Sequence, residues 1–94
     1  FPSNYLRMGN CHRQLKQWNE ALGIYNQVKS SEPHAPEATY LMGHTYEEAG
    51  QRENAIKSFQ LTCRTYPKSG YASRAHAHLQ TKYKITATFG GGKE

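Results

Sequence analysis

Residues of the chain that belong together recur at spacings of three and four. Tyr5, Met8, Gly9 and His12 form one such set, and Ala21, Ile24, Tyr25 and Val28 a second. Thr39, Met42, Gly43 and Tyr46 then repeat the first set, and Ala55, Phe59 and Thr62 repeat the second. Three-and-four spacing places each set on one stripe of an α-helix, whereas a half-buried strand would alternate strictly. No such alternation occurs before about residue 80. The stops are also readable. Gly50, in "EAGQ", suits the left-handed conformation just past a helix end. Pro33, Pro36 and Pro67 fall where a missing N–H and a fixed φ favour a helix boundary. The pattern predicts helices over about residues 2–15, 18–31, 36–49, 52–66 and 69–84.

The sets are copies at a constant offset. Gly9 pairs with Gly43, Ala21 with Ala55, Tyr25 with Phe59 and Pro33 with Pro67, each 34 residues on. A fixed period without insertion marks stacked supersecondary units, because one such unit cannot bury its own apolar face. The small residues have a steric role in this reading. Gly9 and Gly43 on each first helix face Ala21 and Ala55 on each second helix, so the backbones approach closely, and Tyr25 and Phe59 fill the space toward the next unit.

Met8-Gly9, His12, Ala21, Tyr25 and Pro33, repeated as Met42-Gly43, Tyr46, Ala55, Phe59 and Pro67, resemble the tetratricopeptide repeat family, whose unit is a 34-residue helix-turn-helix. The departures are mild. His12 replaces a Tyr, Val28 and Thr62 stand where a second Ala is preferred, Tyr5 stands where Trp is common, and Thr39 is a weaker substitute. The resemblance covers about residues 2–67 and implies an all-α fold. That fold is a right-handed α-α superhelix of two helix-turn-helix units, about 2–33 and 36–67, plus a C-terminal closing helix at about 69–84. In the closing helix, Ala72, Ala75, Leu79 and Tyr83 are expected to cover the apolar face of the second unit. Residues 1–89 then form one domain, and "GGGKE" at 90–94 a flexible tail. Its glycines lack the spacing of a phosphate loop.

Charge and composition narrow the function classes. The net charge of +5 is spread as +3 over residues 1–31, −4 over 32–53 and +6 over 54–94. There is no run of Lys or Arg and no Gly-aromatic motif of the RNA-binding type, so nucleic acid is disfavoured. No apolar run approaches the ~18 residues of a membrane span, and no membrane insertion is expected. The chain opens on Phe1, as a processed or excised piece would. Cys11 and Cys63 form no CxxC motif and read as free thiols packed in helices, which leans toward a reducing, cytoplasmic compartment. Against that, "RTYPKSGYASRAHAHL" is similar to junctions in tetratricopeptide proteins of the bacterial cell envelope, which keeps a periplasmic location open.

Catalytic patterns are missing. His76 and His78 point to different sides of a helix, Glu47 and Glu48 splay apart, and there is no Asp, no HExxH and no GxSxG. The chain is therefore read as a non-enzyme with no cofactor and no metal, its histidines structural. In a curved stack the first helices line the concave side. Their positions outside the core are the groove candidates: Leu6, Asn10 and Arg13, with Ser3, on the first helix; Glu37, Tyr40, His44 and Glu47 on the second; and Arg74 and His78 on the third. The mixture suits recognition of a peptide or helix of another protein. The family's clamp for chaperone C-terminal carboxylates looks incomplete, since Leu6 and Leu41 stand where it needs Lys and Asn, although Asn10 matches. The alternative is an architectural or self-associating section of a larger array, with Leu79 and Tyr83 on the contact face.

Overall fold

The computed structural model describes residues 2–29 and 34–86, with side chains from Asn4 onward. Pro33, the side chain of Ser3 and the 90–94 tail lie outside the described residues. Among the described residues five α-helices follow one another: α1 (Pro2–Gln14), α2 (Trp18–Val28), α3 (Ala35–Glu48), α4 (Arg52–Thr65) and α5 (Gly70–His78). A π-helical turn, Leu79–Tyr83, extends α5. No strand occurs among the described residues. None of their helices is long and apolar enough to cross a membrane.

The two hairpin turns are built alike. Lys16, at φ 64°, and Gly50, at φ 83°, occupy the left-handed region one 34-residue period apart. In each turn the amide of this residue and the one after it close back on the preceding helix. Lys16 N–H bonds to Arg13 O and Gln17 N–H to His12 O, as Gly50 N–H bonds to Glu47 O and Gln51 N–H to Tyr46 O. This is the Schellman arrangement, which satisfies carbonyls that a helix end would leave unpaired. Starts are marked separately. Pro36 sits in the first turn of α3, where its missing N–H costs nothing, and the Ser69 hydroxyl caps α5 by accepting from Tyr71 N–H at 3.1 Å.

Packing reproduces the period. A Cβ placed on Gly9 would lie 2.6 Å from Tyr25 Cε1, and one on Gly43 would lie 2.7 Å from Phe59 Cε1. Each glycine is thus the floor on which the aromatic of its own hairpin rests. Tyr25 and Phe59 are both fully buried, as are Ala21 and Ala55. The apolar core falls into two clusters, and each takes residues from the next first helix. Ala38 of α3 joins Leu6, Ala21, Tyr25 and Val28, while Ala75 and Leu79 join Ala55, Phe59 and Cys63. Burying a hairpin requires a helix from its neighbour, and α5 supplies that helix for the second hairpin through Ala72, Ala75 and Leu79, all fully buried. Buried Thr39, Thr45 and Thr62 satisfy their hydroxyls on carbonyls four residues back, at 2.8–2.9 Å.

Several expectations are corrected. Leu6 is not a groove residue: it is only 6% exposed and packs in the first core cluster. Its isobutyl group gains more from joining the cluster with Ala21, Tyr25, Val28 and Ala38 than from facing water. Conversely, Tyr5 and Met8 leave the stripe and stand 43% and 47% exposed. Cys11 is exposed rather than packed, while Cys63 is buried and donates its thiol to Ala72 O at 3.3 Å, tying α4 to α5. The final helix is α-helical only to His78 and then widens into the π turn. Leu79, expected on a contact face, is fully buried. Burial there removes it from any surface that could self-associate.

Candidate functional site

The register that builds the core also aligns the first helices of successive hairpins with one another. Leu6, Tyr40 and Arg74 lie one period apart, as do Asn10, His44 and His78, and as do Arg13 and Glu47. The candidate residues therefore form columns running from α1 through α3 to α5. The structure places them in two groups with different uses.

On α1, Asn10 is engaged inside its own hairpin, where its side-chain oxygen accepts from the Tyr25 hydroxyl. Burial pushes Tyr25 up to about 12, so the phenol stays protonated and keeps donating. Arg13 reaches toward α3, with its guanidinium 3.8 Å from the Glu48 carboxylate. Glu48 is largely exposed, so this pair contributes little.

The second group is an aromatic and imidazole cluster between α3 and α5. Tyr40 packs against Phe59 at 5.7 Å, Tyr71 at 5.4 Å and His44 at 4.7 Å between ring centroids. His44 and His78 lie edge-to-face on Phe59 at 5.1 and 4.9 Å, and 5.0 Å from each other. The Arg74 guanidinium sits 5.0 Å over the Tyr71 ring. Burial raises both Tyr40 and Tyr71 above the usual phenol range, with the Glu37 carboxylate adding to the shift at Tyr71. Tyr40, His44, Arg74, His78 and Glu37 are thus brought to one region.

Glu47 is the hub of this group. His78 Nε2 lies 2.8 Å from its Oε2, Lys82 Nζ lies 3.4 Å from the same oxygen, and the Tyr83 hydroxyl donates to it at 2.5 Å. Its other oxygen, Oε1, faces His44 Nδ1 at 3.4 Å. Desolvation works to raise the Glu47 carboxyl, but the hydrogen bonds from Tyr83 and His78, with the nearby positive charge, outweigh it and hold the group below the usual range. Burial lowers His44, so its imidazole stays neutral more readily than usual. Burial, then the Glu47 bond, pushes Tyr83 up to about 12. Arg52 covers the Tyr83 ring at 5.0 Å.

Reasoning about residues one helix at a time does not reach this hub. Glu47 and Glu48 do splay, and they are differently exposed, but Glu47's partners on α5 and the π turn come from 31 to 36 residues away. Tyr71, Lys82 and the hydroxyl of Tyr83 join the site without any signal of their own in the sequence. A partial signal lies in the period: His44 and His78 share a column, and Glu47 is one turn beyond His44.

Comparison with known proteins agrees with the geometry. Residues 3–35 and 37–69 each match the family model described as tetratricopeptide repeat. No curated protein and no solved structure matches the chain.

Proposed function

Because the chain belongs to the tetratricopeptide repeat family, a non-catalytic scaffold type whose repeats are generally protein–protein interaction modules, we propose that it binds a peptide or helical segment of another protein across α1, α3 and α5. The observation that carries this reading is the patch of half-buried Tyr40, Tyr71 and His78 with exposed Arg74 over the Tyr71 ring, left by the core on adjoining first helices. Rigid aromatics offer contact area at small entropic cost, and Arg74, with Glu37 and Arg13 beyond it, supplies charge to orient a segment. The test is selection of a displayed peptide library on the immobilised protein. Sequences enriched on the native chain should be lost on Tyr40→Ala and on Arg74→Glu and retained on Leu15→Ala. Enrichment that survives both groove variants would sink the proposal.

A second reading has an observation of its own. Tyr5 and Met8 are 43% and 47% exposed on α1, and Leu15 just beyond its end is 68% exposed. Of the counterparts of the first two, Thr39 is buried and Met42 packs against the core cluster of the preceding helix pair. Another hairpin stacked on α1, from a longer array or a second copy, would cover this face. Sedimentation across a concentration range, with Met8→Lys as control, separates the copy from the array.

A further inference from the structure

We propose that His44, the Glu47 carboxylate and His78 form a binding site for a divalent transition-metal ion, zinc by preference, which ties α3 to α5. One ligand atom from each of the three lies within 4.8 Å of the others. Bonds of about 2.0–2.2 Å to a tetrahedral ion would set such atoms about 3.3–3.5 Å apart. His44 Nδ1 meets the Glu47 carboxylate at Oε1, 3.4 Å away, and His78 Nε2 meets it at Oε2, 2.8 Å away, so an ion seated between the two rings takes up the carboxylate in place of the His78 contact, with rotation of the side chains.

Four features favour a site over a chance gathering. The donors come from two helices separated by α4, so an ion there closes contacts that no single helix can make. Both imidazoles are braced edge-to-face on Phe59, which is itself fully buried, so the nitrogens are held before any ion arrives. The carboxylate has an outer shell: Tyr83 and Lys82 reach Oε2, the oxygen that also faces His78, while Oε1 faces His44. Such second contacts orient a ligating group and are a recurrent part of metal sites. Finally, a cleft of about 330 Å³ bordered by Glu47, Gly50, Arg52, Lys82 and Tyr83 opens on the carboxylate and gives an entry path. Lys82 is exposed and swings to water at little cost once an ion neutralises Glu47. Two nitrogens and one carboxylate oxygen match zinc, whereas calcium and magnesium take oxygen donors. Three protein ligands leave the fourth position to water or to a partner's side chain.

The proposal does not depend on groove binding and is tested without a partner. The full chain carrying Cys11→Ser, which removes the exposed thiol as a competing ligand, is stripped with chelator and titrated with zinc by calorimetry, while histidine ring signals are followed by NMR. One ion per chain is expected, with His44 and His78 signals shifting and those of His12, His34 and His76 staying in place. His44→Ala and His78→Ala should each abolish saturable binding, and Tyr83→Phe should weaken it about 10–100-fold. Circular dichroism verifies that each variant stays helical, and the NMR readout on the intact site keeps the test decisive should one unfold. Lack of saturable uptake, uptake unchanged by His44→Ala, or shifts at His12 in place of His44 would overturn the proposal.

Discussion

Tyr25 and Phe59 fill the same slot in successive hairpins, yet the column beside them serves two different ends. Tyr25 carries a hydroxyl, and Asn10 accepts from it. Phe59 carries none, so His44, one period beyond Asn10, lies edge-on against the ring and turns its Nδ1 toward Glu47. The outer faces diverge as well. Thr39 and Thr45 are buried and Met42 is half-buried beneath the preceding hairpin, while Tyr5, Cys11 and Met8 at the same register stand open. A second helix is thus buried by its own partner and the next first helix, whereas a first helix also needs a hairpin before it. Equivalent positions in a repeat share a backbone environment, and their chemistry depends on the neighbour each copy receives.

Truncating the two ring fillers is the strongest way to break the comparison. Phe59→Ala and Tyr25→Ala should each cost about 3–5 kcal/mol in urea unfolding, a large part of what a domain this size holds. Equal losses would mean the two seams are equally tight. Next, Glu47→Gln should cost about 1–3 kcal/mol, since it leaves His78, Lys82 and Tyr83 without a charged acceptor. Arg13→Gln, one period earlier, should cost under about 1 kcal/mol in the same measurement, because its guanidinium meets an exposed Glu48 carboxylate at the long separation of 3.8 Å.

Gly9→Ala and Gly43→Ala should each lose about 1–3 kcal/mol despite the better helix propensity of Ala, because the new Cβ meets a buried ring. If either variant proves more stable in thermal melts, the close approach is softer than described. The smallest effect separates the turns. Lys16 holds the left-handed conformation that Gly50 adopts freely, so Lys16→Gly should raise stability by about 0.5–1 kcal/mol, and Gly50→Ala should lower it by about 1 kcal/mol.

Much of the fold is legible in the sequence. Gly9, Gly43, Ala21, Ala55, Tyr25 and Phe59 are placed by period alone, because packing at a repeated seam constrains volume as well as polarity. Leu6 defeats the pattern, since position on a helix does not reveal how far the adjoining helix overhangs it. Tyr5 and Met8 defeat it for the converse reason, as a stripe is buried only where something lies on it. The Glu47 hub is hidden because its donors approach from α5 and from the π turn, whose width no local propensity announces.

The sequence by itself determined the helical period, the 34-residue repeat and the identity of the residues at the seam, since these follow from spacing and side-chain volume. Tertiary structure alone decided which equivalent positions were covered and which polar groups met, because those outcomes depend on distances between helices far apart in the chain. His44, Glu47 and His78 carry no motif along the chain, and they gather only where α5 closes over the second hairpin.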